Sequence, residues 1–159
     1  MHLLFADSVA EQTIAELTSR GHRCSVDPGL TTADLPGRIA GVDALVVRST
    51  KVDRAVFEAA DKLALVIRAG AGTNTIDTEV AARNGVLVSN VPGRNAVAVA
   101  ELTLGLILAV DRRIADNVAD ARRGRWEKAT YSKADGLLGR TLGLLGLGAI
   151  GLEIGRAHV

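Results

Sequence analysis

Three glycines near the end of the chain have the spacing of a loop that binds the phosphates of a dinucleotide. Gly146, Gly148 and Gly151 form G-x-G-x-x-G between the apolar run TLGLL (141–145) and a helix-like stretch, residues 149–157. In such a loop the first glycine allows a tight bend, the second lets the backbone approach a pyrophosphate, and the third lets helix and strand pack closely. Free N–H groups and the positive end of the helix dipole then bind the phosphates. The alternative is a glycine-rich turn without a ligand.

A second glycine-rich stretch has the chemistry of an anion site. Arg68-Ala69-Gly70-Ala71-Gly72 follows a predicted strand, at the sheet edge where open α/β sheets bind ligands. Two glycines let successive N–H groups converge on an anion, and Arg48, which ends the preceding predicted strand, would lie on the same rim. Charge-assisted hydrogen bonds could hold a carboxylate or a phosphate here. A tight turn with two surface arginines explains the same residues equally well.

The remaining reactive side chains form no catalytic or metal-binding group. Cys24 is the only cysteine and has no base placed by spacing, and the histidines lack the spacing of metal ligands, so we expect no metal. Glu101 lies in the first turns of an apolar helix, which favours a partly buried structural acid over a catalytic base. A net charge of +1 argues against a nucleic-acid partner. Asp7 interrupts the first apolar run, and the longest later run, residues 102–110, is about half a membrane span, so we expect a cytoplasmic protein without a membrane partner.

Apolar runs and turn residues alternate over the first 90 residues in the pattern of a doubly wound parallel sheet. Strands are predicted at 2–6, 23–27, 43–49, 63–69 and 86–90, and the central ones are continuously apolar, as buried parallel strands are. Helices are predicted between them, at 8–20, 31–39, 53–60 and 77–84. The residues that predict the helix ends are Ser8 with Glu11 (a capping box), Asp53, Asp77, Gly21 and Gly85.

The second part of the chain begins with a long predicted helix. Asn95 caps it, and it runs without a break to Gly124, with residues 96–110 apolar on nearly every face. A helix that is apolar all round is buried against another domain or another subunit. A polar loop is predicted over 125–140, followed by a strand over 141–145 and the glycine turn.

Together these motifs resemble the D-isomer-specific 2-hydroxyacid dehydrogenases over the whole chain. The segments that carry the resemblance, in the family's order and spacing, are VVRSTKV (46–52), IRAGAGTNTIDTEVAARNGVLVSNVPGRNAVAVAELTLGLIL (67–108), RGRWEK (123–128) and LLGRTLGLLGLGAIGLEIGR (137–156). The resemblance implies two domains with a cleft between them. Residues 1–94 would be the substrate domain, an α/β, flavodoxin/Rossmann-like parallel sheet. Residues 95–159 would hold a connecting helix, which the family uses for dimerisation, and the start of a Rossmann NAD-binding domain.

The same resemblance implies roles for individual residues. Substrate contacts would fall on Arg48, Ser49, Arg68, Ala71, Gly72 and Asn95, and cofactor contacts on Ala71, Gly146, Gly148, Ala149, Ile150 and Gly151. The implied reaction is NAD-dependent oxidation of a D-2-hydroxy acid, with 3-phosphoglycerate (serine biosynthesis) as the expected substrate. The family's catalytic arginine, glutamate and histidine match no residue of this chain, so we expect no turnover from these 159 residues alone. The alternative is a non-catalytic module that dimerises through the 95–124 helix.

Overall fold

The chain forms two compact units, Met1–Pro92 and Gly93–Val159. The structure is a computed structural model that describes residues 1–156, so the last three residues, and with them the predicted end of the final helix at Ala157, lie outside the described residues. The first unit is a sheet with helices, and the described part of the second consists of helices and loops.

The first unit contains a five-stranded, all-parallel sheet in the order β2-β1-β3-β4-β5. Its strands are β1 (His2–Phe5), β2 (Arg23–Val26), β3 (Ala44–Val47), β4 (Leu65–Arg68) and β5 (Leu87–Asn90). The connecting helices are α1 (Glu11–Ser19), α2 (Arg54–Ala59) and α3 (Thr78–Arg83), with a 3₁₀ turn, Leu35–Gly37, between β2 and β3. This strand order is that of flavodoxin-like folds. The predicted α/β, flavodoxin/Rossmann-like parallel sheet is therefore confirmed.

Buried apolar side chains cover both faces of the central strand, β3. All four of its residues are buried, and they alternate between two clusters of side chains. Leu45 and Val47 belong to the larger cluster, together with Val56 of α2. Ala44 and Val46 belong to the smaller cluster, against which α1 packs. The continuous apolar pattern of this strand in the sequence therefore reflects burial on both faces.

Several predicted helix ends of the first unit are confirmed. The side chains of Asp53 and Asp77 each accept a backbone N–H in the first turn of α2 and α3, at 3.1 and 3.0 Å. After α1 and α3, Gly21 and Gly85 have φ values of +82° and +70°. This left-handed conformation is the one that glycine adopts without strain at helix ends.

Two other helix predictions in this unit are wrong. Ser8 does not cap α1, because the helix begins only at Glu11 and has no side-chain cap. A serine three residues before the first helical residue is too far away to accept the free N–H groups of that turn. The helix predicted over 31–39 is reduced to the 3₁₀ turn, because Pro36 in that turn has no N–H to donate and its ring clashes with the preceding turn of a helix. The Asp34 carboxylate accepts both the N–H and the hydroxyl of Thr31 just before this turn.

The described part of the second unit has four helices, α4 (Ala96–Asp111), α5 (Ile114–Arg122), α6 (Lys128–Tyr131) and α7 (Ala149–Arg156). α7 packs against α4 and begins where the sequence predicted a helix. The short α6 lies in the stretch that was predicted to be a loop. Gly124 follows α5 with a φ of +75°, which confirms it as the stop of that helix.

The single helix predicted from Asn95 to Gly124 is wrong. Arg113 has a φ of +50°, which interrupts the backbone hydrogen bonds between α4 and α5. The Arg113 side chain donates to Asp116 Oδ2 at 3.2 Å and lies 5.2 Å from the centre of the Tyr131 ring. These two contacts stabilise the left-handed residue, and helical periodicity in the sequence does not reveal them.

The strand predicted over 141–145 is also wrong. Within the described residues this segment pairs with no strand, and the Leu144 and Leu145 side chains are 38% and 107% exposed. The backbone groups of a strand need hydrogen-bond partners on a neighbouring strand. An apolar run supplies burial energy but not those partners.

The apolar helix α4 is not buried on every face within this chain. Ala96 and Ala100 are its buried residues, whereas Leu106 and Val110 are 56% and 77% exposed. Glu101 is exposed too, so it is not the partly buried acid that the sequence predicted. No helix among the described residues is long and apolar enough to cross a membrane.

Candidate functional site

The carboxyl ends of β3 and β4 bring the two predicted arginines to one edge of the sheet. Val47 and Arg68 are register partners on these strands, so Arg48 lies one residue further along the same edge. Arg48 and Ser49 are exposed there. The structure therefore places Arg48, Ser49, Arg68 and the glycine loop after β4 at one edge of the first unit.

Hydrogen bonds fix the conformation of the glycine loop, residues 70–72. Its three carbonyl groups accept hydrogen bonds from the protein itself, at 3.0, 2.6 and 3.0 Å. The donors are, in order, the Val91 N–H, the Asn90 side chain and Arg68 Nη1. Because these acceptors are occupied, the loop offers a ligand donors rather than acceptors.

The N–H groups of Ala71 and Gly72 are the donors that remain. Within the described residues neither donates a hydrogen bond, whereas the Gly70 N–H donates to the Arg68 carbonyl at 2.8 Å. Two adjacent amides beside the Arg68 guanidinium, at the sheet edge that also carries Arg48, form a site that suits a carboxylate or a phosphate.

The Arg68 side chain lies directly over the loop. A Cβ at Gly70 would meet Arg68 Nη1 at 2.8 Å, so the guanidinium packs against this glycine. Arg68 Nε is buried and has no hydrogen-bond partner among the described residues. A buried donor without a partner is destabilising.

Asp7 belongs to the same edge, although no motif of the sequence pointed to it. It follows β1 after one residue, and its Oδ2 accepts from the N–H groups of Arg48, Ser49 and Thr50 at 2.7, 3.1 and 3.2 Å. Burial raises the pKa of the Asp7 carboxyl, but the three backbone donors outweigh it, so that pKa lies below its usual value. An aspartate just past a buried strand, at the ligand-binding edge, was the signal available in the sequence.

The glycines of the turn in the second unit have three different surroundings. Gly146 has a φ of +95°, a conformation that side chains rarely adopt. A Cβ at Gly151 would lie 2.6 Å from the Gly146 carbonyl oxygen, whereas a Cβ at Gly148 would meet no atom within 4 Å. Gly148 thus leaves open space at the start of α7, where the N–H groups of Ala149 and Ile150 have no partner within the helix. Gly146 thus provides the bend, Gly151 the close backbone contact, and Gly148 the open space beside N–H donors that suits a phosphate.

The other candidate residues lie elsewhere. Asn95 is in the second unit, at the N-cap position of α4, and its side chain makes no capping bond. His2 and His22 lie at the amino ends of β1 and β2, the opposite edge of the sheet from Arg48. Neither described histidine reaches the anion site, and His158 lies outside the described residues.

Residues 3–144 match the family model of the D-isomer specific 2-hydroxyacid dehydrogenase, catalytic domain. The chain belongs to this family. The matched residues include four of the five strands in full, all but the first residue of β1, and the helices α1 to α6. The family identified from the sequence motifs is therefore confirmed.

Two curated relatives and one solved structure illustrate the range of this 2-hydroxyacid dehydrogenase family. The D-3-phosphoglycerate dehydrogenase of Methanocaldococcus jannaschii is 42% identical over 153 residues, which cover 96% of this chain and 29% of the relative. The hydroxypyruvate reductase of Thermotoga maritima is 46% identical over 119 residues, which cover 74% of this chain and 39% of the relative. The NAD⁺-bound 3-phosphoglycerate dehydrogenase of Entamoeba histolytica has a TM-score of 0.78 at 27% identity, and the match covers 99% of this chain and 50% of that structure. The chain spans half or less of the length of these proteins.

Proposed function

We propose that this chain provides the substrate-anion loop and the first phosphate turn of an NAD-dependent oxidoreductase that acts on the CH–OH group of a D-2-hydroxy acid. The observation that carries the proposal is the pair of N–H groups at Ala71 and Gly72, which donate to no described residue and lie at the sheet edge that carries Arg68 and Arg48. A 2-hydroxy acid is an anion at neutral pH, and two adjacent amides with a guanidinium bind such a carboxylate. Membership of the family supports the same class of reaction.

3-Phosphoglycerate is the substrate that we propose. It has a carboxylate and a phosphate, and the edge offers two guanidinium groups in addition to the free amides. The relative that is 42% identical is a D-3-phosphoglycerate dehydrogenase, which supports this choice. Hydroxypyruvate is the second candidate, because the relative that is 46% identical is a hydroxypyruvate reductase. Hydroxypyruvate has one anionic group, so the two candidates differ in how many cationic groups they need.

NAD is the proposed cofactor. Ala149 and Ile150 would donate their N–H groups to its pyrophosphate, and Gly148 would let the backbone approach it. When bound, the nicotinamide supplies the hydride acceptor for C2 of the hydroxy acid. The NAD⁺-bound structure of similar fold supports this cofactor.

The substrate proposal is tested by following backbone amide resonances of the purified 159-residue chain during separate titrations with 3-phosphoglycerate, D-glycerate and hydroxypyruvate. All three should shift the amides of Ala71 and Gly72. 3-Phosphoglycerate should bind about tenfold or more tightly, because one additional charged hydrogen bond contributes about 1.5–3 kcal/mol. Arg48→Gln should remove that preference, while Arg23→Gln, exposed at the amino end of β2, should keep it. Unshifted amides at 71 and 72 would contradict the site, and tighter binding of hydroxypyruvate would favour the second substrate.

We also propose that these 159 residues do not turn over alone, because neither described histidine reaches the anion site to accept the hydroxyl proton. The purified chain mixed with NAD and 3-phosphoglycerate should form no NADH. Measurable NADH formation, absent from an Arg48→Gln sample prepared in the same way, would contradict this proposal.

Homodimerisation through the 95–124 segment is proposed as well. The exposed apolar side chains Leu106 and Val110 of α4 support it, since such side chains are favoured at contacts between subunits. Sedimentation at several concentrations should show a dimer for the wild-type chain and a monomer for Leu106→Glu. Arg122→Glu, which changes an exposed charge on α5, serves as the control and should remain dimeric. A wild-type chain that is monomeric at all concentrations would contradict the dimer and the alternative of a non-catalytic interaction module together.

A further inference from the structure

The backbone just after β3 forms an anion-binding nest that is already filled from within the chain. Three successive N–H groups, those of Arg48, Ser49 and Thr50, converge on one oxygen of Asp7. Successive amides that point at one position bind anions, and a carboxylate in that position makes charge-assisted hydrogen bonds. Asp7 therefore occupies a place where an external carboxylate or phosphate would otherwise bind.

Both ends of the segment that carries Arg48 are held in place. At its start Asp7 accepts the three N–H groups, across 41 residues of sequence for the first of them. At its end the Val52 N–H donates to the Thr75 carbonyl at 2.8 Å, and the Asp77 N–H donates to the Val52 carbonyl at 2.9 Å. Residues 48–52 are thus connected both to β1 and to the loop that follows the free amides, so a change at Asp7 alters the backbone that orients the Arg48 side chain.

Two neighbouring loops at this edge therefore differ in the state of their amides. The amides of residues 48–50 are satisfied by Asp7, whereas those of Ala71 and Gly72 donate to no described residue. An incoming anion meets backbone donors at 71 and 72, and it meets Arg48 as a side chain only. The negative charge of Asp7 also repels an anion from the nest.

We propose that Asp7 is a positioning residue whose carboxylate fills the amide nest at residues 48–50, fixes the backbone that carries Arg48, and leaves Ala71 and Gly72 as the anion-binding amides of this edge. The inference rests on the proposed function only in treating Arg48 and the loop at 71–72 as substrate contacts.

The test uses isotope-labelled full-length chains of the wild type, Asp7→Ala, Asp7→Asn and Asp61→Ala, titrated with inorganic phosphate. Asp61 is the matched control because it also accepts a backbone N–H, from Gly41 at 2.7 Å, but at the amino edge of the sheet. Phosphate should shift the amides of residues 48–50 only in Asp7→Ala, where the nest no longer holds a carboxylate. Asp7→Asn keeps one side-chain oxygen as an acceptor, so its amides at 48–50 should exchange hydrogen at rates between those of the wild type and Asp7→Ala.

A second measurement separates positioning from a purely structural role. The preference for 3-phosphoglycerate over D-glycerate should fall about tenfold in Asp7→Ala, as in Arg48→Gln, and should persist in Asp61→Ala. If Asp7→Ala does not fold, Asp7→Asn takes its place, and its amides at 48–50 should exchange faster than those of the wild type. Phosphate shifts at 48–50 in the wild type, or unchanged exchange at 48–50 in Asp7→Asn, would overturn the proposal. Shifts at 48–50 confined to Asp7→Ala, with no response at 71–72 in any chain, would support the filling of the nest by Asp7 and contradict the assignment of Ala71 and Gly72 as the anion-binding amides.

Discussion

Replacing Gly151 by alanine tests whether the glycine turn of the second unit is held by close backbone packing. The added Cβ would lie 2.6 Å from the Gly146 carbonyl oxygen, whereas ordinary contacts begin at 3.4 Å. The two groups must separate by about 0.8 Å, and overpacking of this kind costs about 1–3 kcal/mol. Because the obstacle is backbone, no change of rotamer relieves it, and the helix propensity of alanine offsets at most about 1 kcal/mol. We expect α7 to lose about 1–2 kcal/mol, so that its amides exchange hydrogen about 5 to 30 times faster.

Gly155→Ala is the matched control on the same helix. A Cβ at Gly155 would meet no atom within 4 Å, so this substitution adds helix propensity without a collision. Exchange of the α7 amides should slow by up to about fivefold. If the α7 amides of Gly151→Ala exchange as slowly as those of the wild type or of Gly155→Ala, the contact with Gly146 imposes no constraint on this turn.

Three further changes probe the core, the charge at the sheet edge and the cofactor turn. Leu45→Ala, in a fully buried position, should lower the free energy of unfolding by about 2–5 kcal/mol in urea titrations, whereas Leu87→Ala, 72% exposed on β5, should change it by less than about 0.5 kcal/mol. The pKa of the Asp7 carboxyl is lower in the folded chain than in the unfolded chain, where it is about 3.9. The carboxylate therefore contributes fully to stability above about pH 3.9, and this contribution is lost as the pH falls through the folded pKa. The difference in urea midpoint between the wild type and Asp7→Asn should therefore be largest near neutral pH and vanish in acid. Gly148→Ala should weaken NADH binding about tenfold or more, measured by fluorescence titration, because its Cβ fills the space that the phosphate needs. It should cost α7 no more than about 1 kcal/mol, the usual loss when alanine replaces a good residue before the first helical position.

The sequence predicted the parts of the fold that depend on neighbours along the chain. Asp53 and Asp77 lie two and three residues from the N–H groups that they accept, so their capping role is readable from the sequence. Gly85 ends α3 because its own backbone adopts the left-handed conformation, with a φ of +70°. The apolar run at β3 is also a pattern of adjacent residues, and it correctly predicted a strand that is buried on both faces.

Several of the parts that were not predicted depend on residues far away in sequence. Arg113 interrupts the long helix with support from Tyr131, which lies in a helix that periodicity did not predict. The segment 141–145 has the apolar pattern of a strand but no partner strand in the described structure. Asp7 was missed as part of the candidate site because its first hydrogen-bond partner is 41 residues away. Side chains that act through tertiary hydrogen bonds carry no spacing signal of their own.

Glycine motifs combine constraints of different origin, and the structure separates them. At Gly151 a Cβ would collide with backbone, so packing within the chain explains that glycine, whereas at Gly70 it would meet the end of the flexible Arg68 side chain, which can move aside. At Gly148 a Cβ would meet nothing, and the backbone is not in the left-handed region. Gly155 shares this open space, but only Gly148 precedes the free N–H groups at the start of α7. Because no contact within the described chain requires glycine at this position, Gly148 is stronger support for a bound phosphate than the two glycines that complete the motif.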